Sequence, residues 1–266
     1  MEELETYTQA NKDAWNASAE AHRHTKEWQE MIASIAAPDF SVLDDTLTQV
    51  LTEMDIMGAR AVQVGCNNGR ELLSLPVFGA QAVLGIDQSE AFLDQAQELA
   101  ALAGSGCTFL NANIYDLPDD VPRDFDVALV TIGVLGWMPD LPRFFEVVAG
   151  LLTTGGRLVI YESHPILDMY EPDEADPFTP VRSYFNKRPQ SWSETITYDG
   201  SAGAPGPESY WFTHTMGEIV TGCIASGLRI AQLTEYAHCN REVDFEKYEG
   251  RTAQLPLCYV LVAGKT

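Results

Sequence analysis

Apolar residues at Tyr7, Ala14, Trp15, Ala21 and Trp28 recur among polar neighbours from residue 2 to residue 30, which predicts a helix that Pro38 stops. A second amphipathic helix is predicted over 41–55, with Val42, Leu43, Leu47, Val50, Leu51 and Met54 on its apolar side and Met57-Gly58 closing it. The pattern then changes to short apolar runs at 59–65, 82–86, 107–110, 125–131 and 157–162, each predicted as a strand. Helices are predicted between them, one from 70 to 75 and one from the N-cap Ser89 to Gly104. A third covers 141–152 and is expected to end at Gly155-Gly156. Strands alternating with helices at this spacing predict an α/β fold, a doubly wound and mostly parallel sheet covered on both faces.

After Glu162 the rhythm breaks. Residues 164–207 hold seven of the fourteen prolines, with Tyr170, Phe178, Tyr184, Phe185, Trp192 and Tyr198 and some alternation around 193–198. A solvated linker rarely carries so many aromatic residues, so the segment is expected to be an ordered insertion over the ligand edge of the sheet. A helix at 215–226 capped by Gly227, then strands at 228–235 and 257–263, complete seven strands with a terminal antiparallel pair. The expected division of one domain over 1–266 is an N-terminal helical lid (1–57), a cofactor-binding core (58–163), a cap insertion (164–212) and a C-terminal helix with its strand pair (213–266).

A length of 266 residues suits one enlarged domain, and 45% apolar residues suffice for a full core. No apolar run reaches the roughly 18–20 residues that a membrane span needs. The opening MEELETYTQANKDAW is acidic and polar where a secretory signal would carry positive charge and an apolar stretch. The five cysteines are scattered and show no metal-ligand spacing. These features predict a cytoplasmic protein with reduced thiols and no metal site. Acidic residues outnumber Lys and Arg by 39 to 16, a formal charge of −23. Such a surface repels polyanions and holds no Lys/Arg cluster, which argues against nucleic acid and anionic membrane as partners. The charge is read as a solubility device, with a salt-rich habitat as the alternative.

Candidate chemistry centres on the turn after the first strand, Val64-Gly65-Cys66-Asn67-Asn68-Gly69-Arg70. Gly65 and Gly69 allow backbone amides to approach a ligand, and Asn67, where a third glycine is usual, tolerates a left-handed conformation. Asp87 stands at the tip of the second strand, where a carboxylate can accept two hydrogen bonds from a ribose diol. Glycine loop and strand-tip acid together predict an adenosine cofactor. The G-x-x-x-G spacing lacks the G-x-G-x-x-G of dinucleotide binding, which points away from NAD. Plainer roles stay open: turn glycines, a helix-capping Asp87 and a loop Asn113.

In these segments the chain resembles the class I S-adenosylmethionine-dependent methyltransferases, which have a Rossmann-like fold. The matching stretches are VQVGCNNG, GIDQS, NANIYDLP, TIGVLGWMPDL and LLTTGGRLVIYESHP. The resemblance is closest to an uncharacterised bacterial branch of small-molecule type. That branch shares Trp15-Asn16, Glu162-Ser163-His164-Pro165, a stretch from Trp211 to Val220, and Leu255-Pro256-Leu257. The resemblance implies S-adenosyl-L-methionine as cofactor, S-adenosyl-L-homocysteine as product and a small-molecule acceptor. It implies that Gly65, Cys66 and Gly69 hold the methionine end, with Asn67 in the same cofactor loop. Asp87 then holds the ribose, Gln88 lies beside the adenine, Asn113 bonds the adenine amino group and Ile114 packs on the ring. Thr131 to Gly133 line the sulfonium side. Gln63 stands where an acid is usual, which weakens the expected contact to the methionine ammonium.

Methyl transfer is an in-line displacement in which a dedicated base is optional. Glu162, His164 and His214 are the candidates for one, and each also has a structural reading, His164 as the group that fixes the turn before Pro165. Tyr7 and Trp15 are candidates to cap the cofactor or to fill ordinary helix core, and His22 is expected to be a lid or surface residue. The N-terminal helix and the aromatic insertion are expected to enclose a pocket for a small, partly apolar acceptor. A protein or RNA methyltransferase and a non-catalytic S-adenosylmethionine-binding regulator are the competing readings.

Overall fold

The alternating apolar runs become five parallel strands, β1 (Arg60–Val64), β2 (Gln81–Asp87), β3 (Thr108–Asn111), β4 (Phe125–Thr131) and β5 (Leu152–Ser163). The computed structural model describes residues 2–197 and 203–266. In the insertion, β6 (Gln190–Glu194) and β7 (Pro205–Trp211) pair as a separate antiparallel hairpin. The strands β8 (Leu228–Tyr236) and β9 (Cys258–Lys265) return to the main sheet, where both pairings of β9 are antiparallel. The resulting order, β3-β2-β1-β4-β5-β9-β8, reverses direction between β1 and β4. This is the mostly parallel, seven-stranded, doubly wound sheet that the pattern predicts.

Helices cover both faces. On one side α3 (Asp45–Met54) and α4 (Arg70–Ser74) bury Leu47, Val50, Leu51 and Leu72 against Val127, Leu129 and Val159. On the other, α6 (Leu141–Leu151) and α7 (Met216–Ala225) pack Phe144, Phe145, Val148 and Ile219 on Val130, Ile160 and Leu261. Each such side chain contributes about 1.5–3 kcal/mol by leaving water. The start of α5 (Glu90–Leu102) is fixed as expected, with the Ser89 hydroxyl accepting from the Phe92 amide. A reciprocal Thr215–Glu218 capping box starts α7.

Three expectations change. The N-terminal helix is two, α1 (Glu2–Arg23) and α2 (Lys26–Ser34), because the Thr25 side chain caps α2 and turns the chain. Gly155-Gly156 does not end α6. The pair lies inside β5, whose register against β4 slips between Phe125↔Leu152 and Val127↔Arg157, and the extra residues form a bulge at Gly155 (φ +84°). In the insertion, strand pairing begins at Gln190, ahead of the predicted alternation. Tyr198 lies outside the described residues.

The N-terminal helix and the hairpin are joined by polar side chains on one face of α1. Fully buried Asn11 grips both backbone groups of Tyr210, with its Nδ2 donating to the carbonyl at 3.0 Å and its Oδ1 accepting from the amide at 2.7 Å. Seven residues on, Ser18 Oγ accepts from the Ile196 amide at 2.8 Å. His22 Nε2 donates to the Ile196 carbonyl at 3.0 Å. The spacing of 11, 18 and 22 places all three on one helical stripe. The opposite attachment is to α5, where Asn16 Oδ1 accepts from Ser89 Oγ and the Ala91 amide.

Replacing Asn11 by Ala leaves two backbone groups of β7 without partners, so unfolding free energy should fall by about 1–3 kcal/mol. Urea denaturation checks this, and an unchanged midpoint would mean that the hairpin does not depend on the clip.

Candidate active site

Ligands of doubly wound sheets sit beyond the carboxyl ends of the strands where the order reverses, here between β1 and β4. Gly65 (φ +65°) turns the chain out of β1, and a Cβ there would lie 2.8 Å from Val134 Cγ2, so glycine is required. Asn67 takes the left-handed conformation expected of it, at φ +50°. Its amide donates to Asp87 Oδ2 at 2.8 Å, while the Ser89 amide donates to Asp87 Oδ1 at 2.9 Å. Burial pushes the Asp87 carboxyl above the usual carboxylate range, against the pull of these amides toward the charged form. Each carboxylate oxygen keeps further acceptor capacity for a ligand.

Asp87 and Gln88 form one wall of a lobe whose apolar sides are Val64, Ile86 and Ile114 and whose outer rim carries Trp15 and Trp137. Asn113 also borders it, but its side chain is committed, with Oδ1 accepting from the Tyr115 amide and Nδ2 donating to Thr8 Oγ1. A second, more polar lobe lies on the far side of Gly65, bordered by Gln63, Cys66, Arg70, Glu71, Thr131, Arg241 and Glu242. Gln63 is used up internally, since its Nε2 donates to Thr131 Oγ1 and its Oε1 accepts from the Leu72 amide, both at 3.0 Å. Burial alone would raise Glu71, but Arg70 and Arg241 hold its carboxyl below the usual range. Arg241 (φ +74°) presents a buried Nε that has no hydrogen-bond partner among the described residues. Burial pushes the neighbouring Glu242 carboxyl up to about 7. An apolar slot with a diol-accepting acid at one end and a guanidinium at the other fits an adenosine attached to an amino-acid tail.

Ile132 (φ +23°) and Gly133 (φ +87°) leave β4 in strained geometry and border both this slot and a third, outer cavity of about 340 Å³. Glu162 at the end of β5 holds that turn, its Oε2 accepting from the Gly133 amide and its Oε1 from the Leu135 amide at 3.0 Å. Burial raises its carboxyl to about 7. The tryptophans form a wall in which Trp137 meets Trp15 at 5.3 Å and Trp211 at 5.3 Å, ring centre to ring centre. Trp211 lies so close over Gly136 that a Cβ there would be 2.1 Å from the indole. The Trp211 Nε1 donates to Asp168 Oδ1 at 3.1 Å. Burial lifts the Asp168 carboxyl to about 6.

The structure brings Gly65, Asn67, Asp87, Gln88, Asn113, Ile114, Gly133 and Trp15 to the slot. Cys66 and Thr131 border only the polar lobe. The Cys66 amide bonds to the Ile86 carbonyl, and its side chain is buried against Leu93 and Ala96. Gly69 and Tyr7 do not reach the slot. Gly69 starts α4 beneath Phe109, and Tyr7 packs edge-on against Tyr210 and Phe212 where lid and hairpin meet. The base candidates are constrained. His164 Nδ1 accepts from the Ile166 amide and its Nε2 donates to Glu235 at 2.8 Å, so neither nitrogen is free and the ring fixes the turn before Pro165. His214 Nε2 donates to the Met138 carbonyl at 2.8 Å, leaving Nδ1 as an acceptor. Both Glu162 oxygens hold backbone amides. Sequence reasoning missed Asp168, Arg241, Glu242 and Tyr259, which share these cavities with no motif to mark them.

This sheet order, with a strand-tip acid opposite a glycine turn and a final antiparallel strand, is a doubly wound fold with a slot at its switch point. A family described as "Methyltransferase domain" matches residues 62–158. A tRNA U34 carboxymethyltransferase of Campylobacter hominis is 28% identical over 107 residues, 40% of this chain and 37% of that protein. A ubiquinone biosynthesis O-methyltransferase of Xanthomonas euvesicatoria is 29% identical over 114 residues, 43% of this chain and 47% of that protein. The chain thus spans less than half the length of these relatives. A solved structure of a Listeria monocytogenes protein, described as a putative S-adenosylmethionine-dependent methyltransferase, superposes with a TM-score of 0.61 at 20% identity, covering 82% of this chain and 97% of that one. Residues 62–158 thus match a methyltransferase domain, and the sheet has the fold of solved structures described as S-adenosylmethionine-dependent methyltransferases.

Because Glu162 has a native value of about 7 against an ordinary 4.5, the folded state binds more protons than the unfolded one between those limits, and stability falls as pH rises through them. The stability advantage of the parent protein over Glu162→Gln should therefore shrink by about 3 kcal/mol from pH 4.5 to pH 7. Urea unfolding at several pH values reads this directly, and a constant difference would contradict it.

Proposed function

We propose that the protein transfers a methyl group from S-adenosylmethionine to a small-molecule acceptor held in the outer cavity. The observation that carries this reading is the Asp87 carboxylate, clamped by the Asn67 and Ser89 amides and bordering a slot that meets a separate cavity at Gly133. S-adenosylmethionine, when bound, supplies a methyl group on a sulfonium centre that a nucleophile can displace in line. Asp87 would hold the ribose hydroxyls, Ile86 and Ile114 would pack on the adenine, and Arg241 would pair with the methionine carboxylate.

Positioning by the Gly133 turn and the tryptophan wall is the main contribution of the chain to rate, of order 7–11 kcal/mol when reacting atoms are aligned. The same wall excludes water from the reacting centre. His214 Nδ1 and Asp168 are the groups at the cavity with acceptor capacity for a proton. Burial lowers His214, which keeps its ring neutral at physiological pH and leaves Nδ1 able to accept.

The similarity to a tRNA-modifying enzyme raises an RNA acceptor as a second reading. The formal charge of −23 and the carboxylates around the outer cavity weigh against a polyanion. Incubating cell extract with labelled cofactor and separating products by size distinguishes the two, since label in RNA or protein would overturn the small-molecule assignment. A non-catalytic binding role would leave both fractions unlabelled.

Asp87→Ala removes two charge-assisted hydrogen bonds worth about 1.5–3 kcal/mol each, so S-adenosylmethionine and S-adenosylhomocysteine should both bind at least about 100-fold more weakly. Calorimetric titration of parent and variant tests it. Binding that survives the substitution, or is absent from the parent, overturns the cofactor assignment.

A further inference from the structure

We propose that the outer cavity is a cation site and that the acceptor is a small amine carrying positive charge next to an apolar or aromatic body. The proposal rests on the methyltransferase reading for the reaction, while the charge preference of the cavity stands on its lining alone.

Six carboxylates line the cavity: Glu162, Asp168, Glu171, Asp173, Glu242 and Asp244. Among the described residues of its lining, Arg182 is the one Lys or Arg. Its charge is already spent, because Arg182 Nη2 donates to Glu171 at 2.5 Å and its Nε donates to the Asp168 carbonyl. His214 is kept neutral by burial and His164 is locked in its turn. Cations outside the lining act on two of the six, Arg70 and Arg241 on Glu242 and Lys247 on Asp244, while within the lining itself carboxylates outnumber basic side chains. Concentrating carboxylates in a partly desolvated space is unfavourable unless a cation or protons relieve it. Burial leads the upward shifts of Asp168, Glu242 and Asp244, and a neighbouring carboxylate adds to those of Glu242 and Asp244.

Two further observations point to an occupant. Tyr259 is among the lining residues, and its fully buried hydroxyl has no hydrogen-bond partner among the described residues. A buried hydroxyl without a partner costs about 1–3 kcal/mol, a penalty that a bound polar group removes. The half-buried Glu242 carboxylate, which borders both the polar lobe and this cavity, likewise accepts no hydrogen bond from the described residues. The remaining walls are Trp15, Trp137, Trp192 and Trp211, with Tyr170 beside them. Indole faces attract cations and accommodate an apolar body at once. A phosphate ester or a carboxylate would meet the same walls with like charge.

The cavity meets the cofactor slot at Gly133, so a bound amine stands next to the expected methyl position. For transfer, the ammonium first gives one proton to a lining carboxylate such as Asp168. The freed nitrogen lone pair then forms the N–CH3 bond as the CH3–S bond breaks, with the bonding pair returning to sulfur. The products are the methylated ammonium and the neutral thioether.

The test is calorimetric titration of the S-adenosylhomocysteine-saturated protein at pH 7 with phenethylamine, phenethyl alcohol and phenylpropionate. The amine is expected to bind at least tenfold more tightly than the alcohol, and the carboxylate to give no heat. In the double variant Asp173→Asn/Asp244→Asn, which alters exposed carboxylates at the rim, the amine should lose at least threefold while the alcohol is unchanged. Equal affinities, binding that favours the carboxylate, no heat with any of the three, or an amine preference untouched by the double substitution would each overturn the proposal. Two controls separate the two readings: absence of S-adenosylhomocysteine binding in its own titration sinks methyl transfer, whereas the order amine over alcohol, repeated without that ligand, is read independently of it.

Discussion

The cleft exists because two strand-tip carboxylates each hold the exit loop of the neighbouring strand. On β2, Asp87 accepts the Asn67 amide from the turn after β1. On β5, Glu162 accepts the Gly133 and Leu135 amides from the turn after β4. Since β1 and β4 are adjacent and their connections run to opposite faces, these bonds hold the two loops on either side of the switch point. Burial strengthens each bond and opposes ionisation of the group that makes it, so both carboxyls lie above their usual range. The left-handed Asn67 and the strained Ile132-Gly133 pair are the backbone conformations that this arrangement demands.

Around that frame, hydrogen bonds join the N-terminal helix α1 to the hairpin. Asn11, Ser18 and His22 join α1 to the insertion through backbone groups of Ile196 and Tyr210, while Asn16 joins the same helix to α5. The Trp15–Trp137–Trp211 wall crosses the joint and contacts both the cofactor slot and the outer cavity. Any opening that admits a ligand to one space therefore disturbs the boundary of the other.

Much of the core was legible because its signals are local. Strand β4 was read from the run Phe125 to Thr131 without error, and Ser89 announced its helix through capping chemistry. Asp87 was placed by its position at the tip of the second apolar run. The N-terminal break at Thr25 was missed because the apolar spacing continues across it, and the bulge at Gly155 was missed because a glycine pair after a helix resembles a stop signal. The outer cavity was hidden for a deeper reason. Asp168, Arg182, Glu242 and Tyr259 come from segments far apart in the chain, and only the folded insertion gives their charges a common environment. His164 illustrates the converse, a residue whose type promised chemistry and whose hydrogen bonds to Ile166 and Glu235 made it a fastening.

The position of β9 has a consequence for how the molecule is made. This buried strand lies between β5 and β8 and pairs antiparallel with both, yet of the sheet's strands it is the last in chain order. During vectorial synthesis β5 emerges with an open hydrogen-bonding edge and must wait while the insertion, α7 and β8 are added. An unpaired, largely apolar edge of that kind invites pairing with another nascent chain. The proline-rich stretch that follows β5 on the ribosome resists strand pairing, and the high negative charge repels like chains. Features that serve the finished cap thus also guard an unfinished sheet.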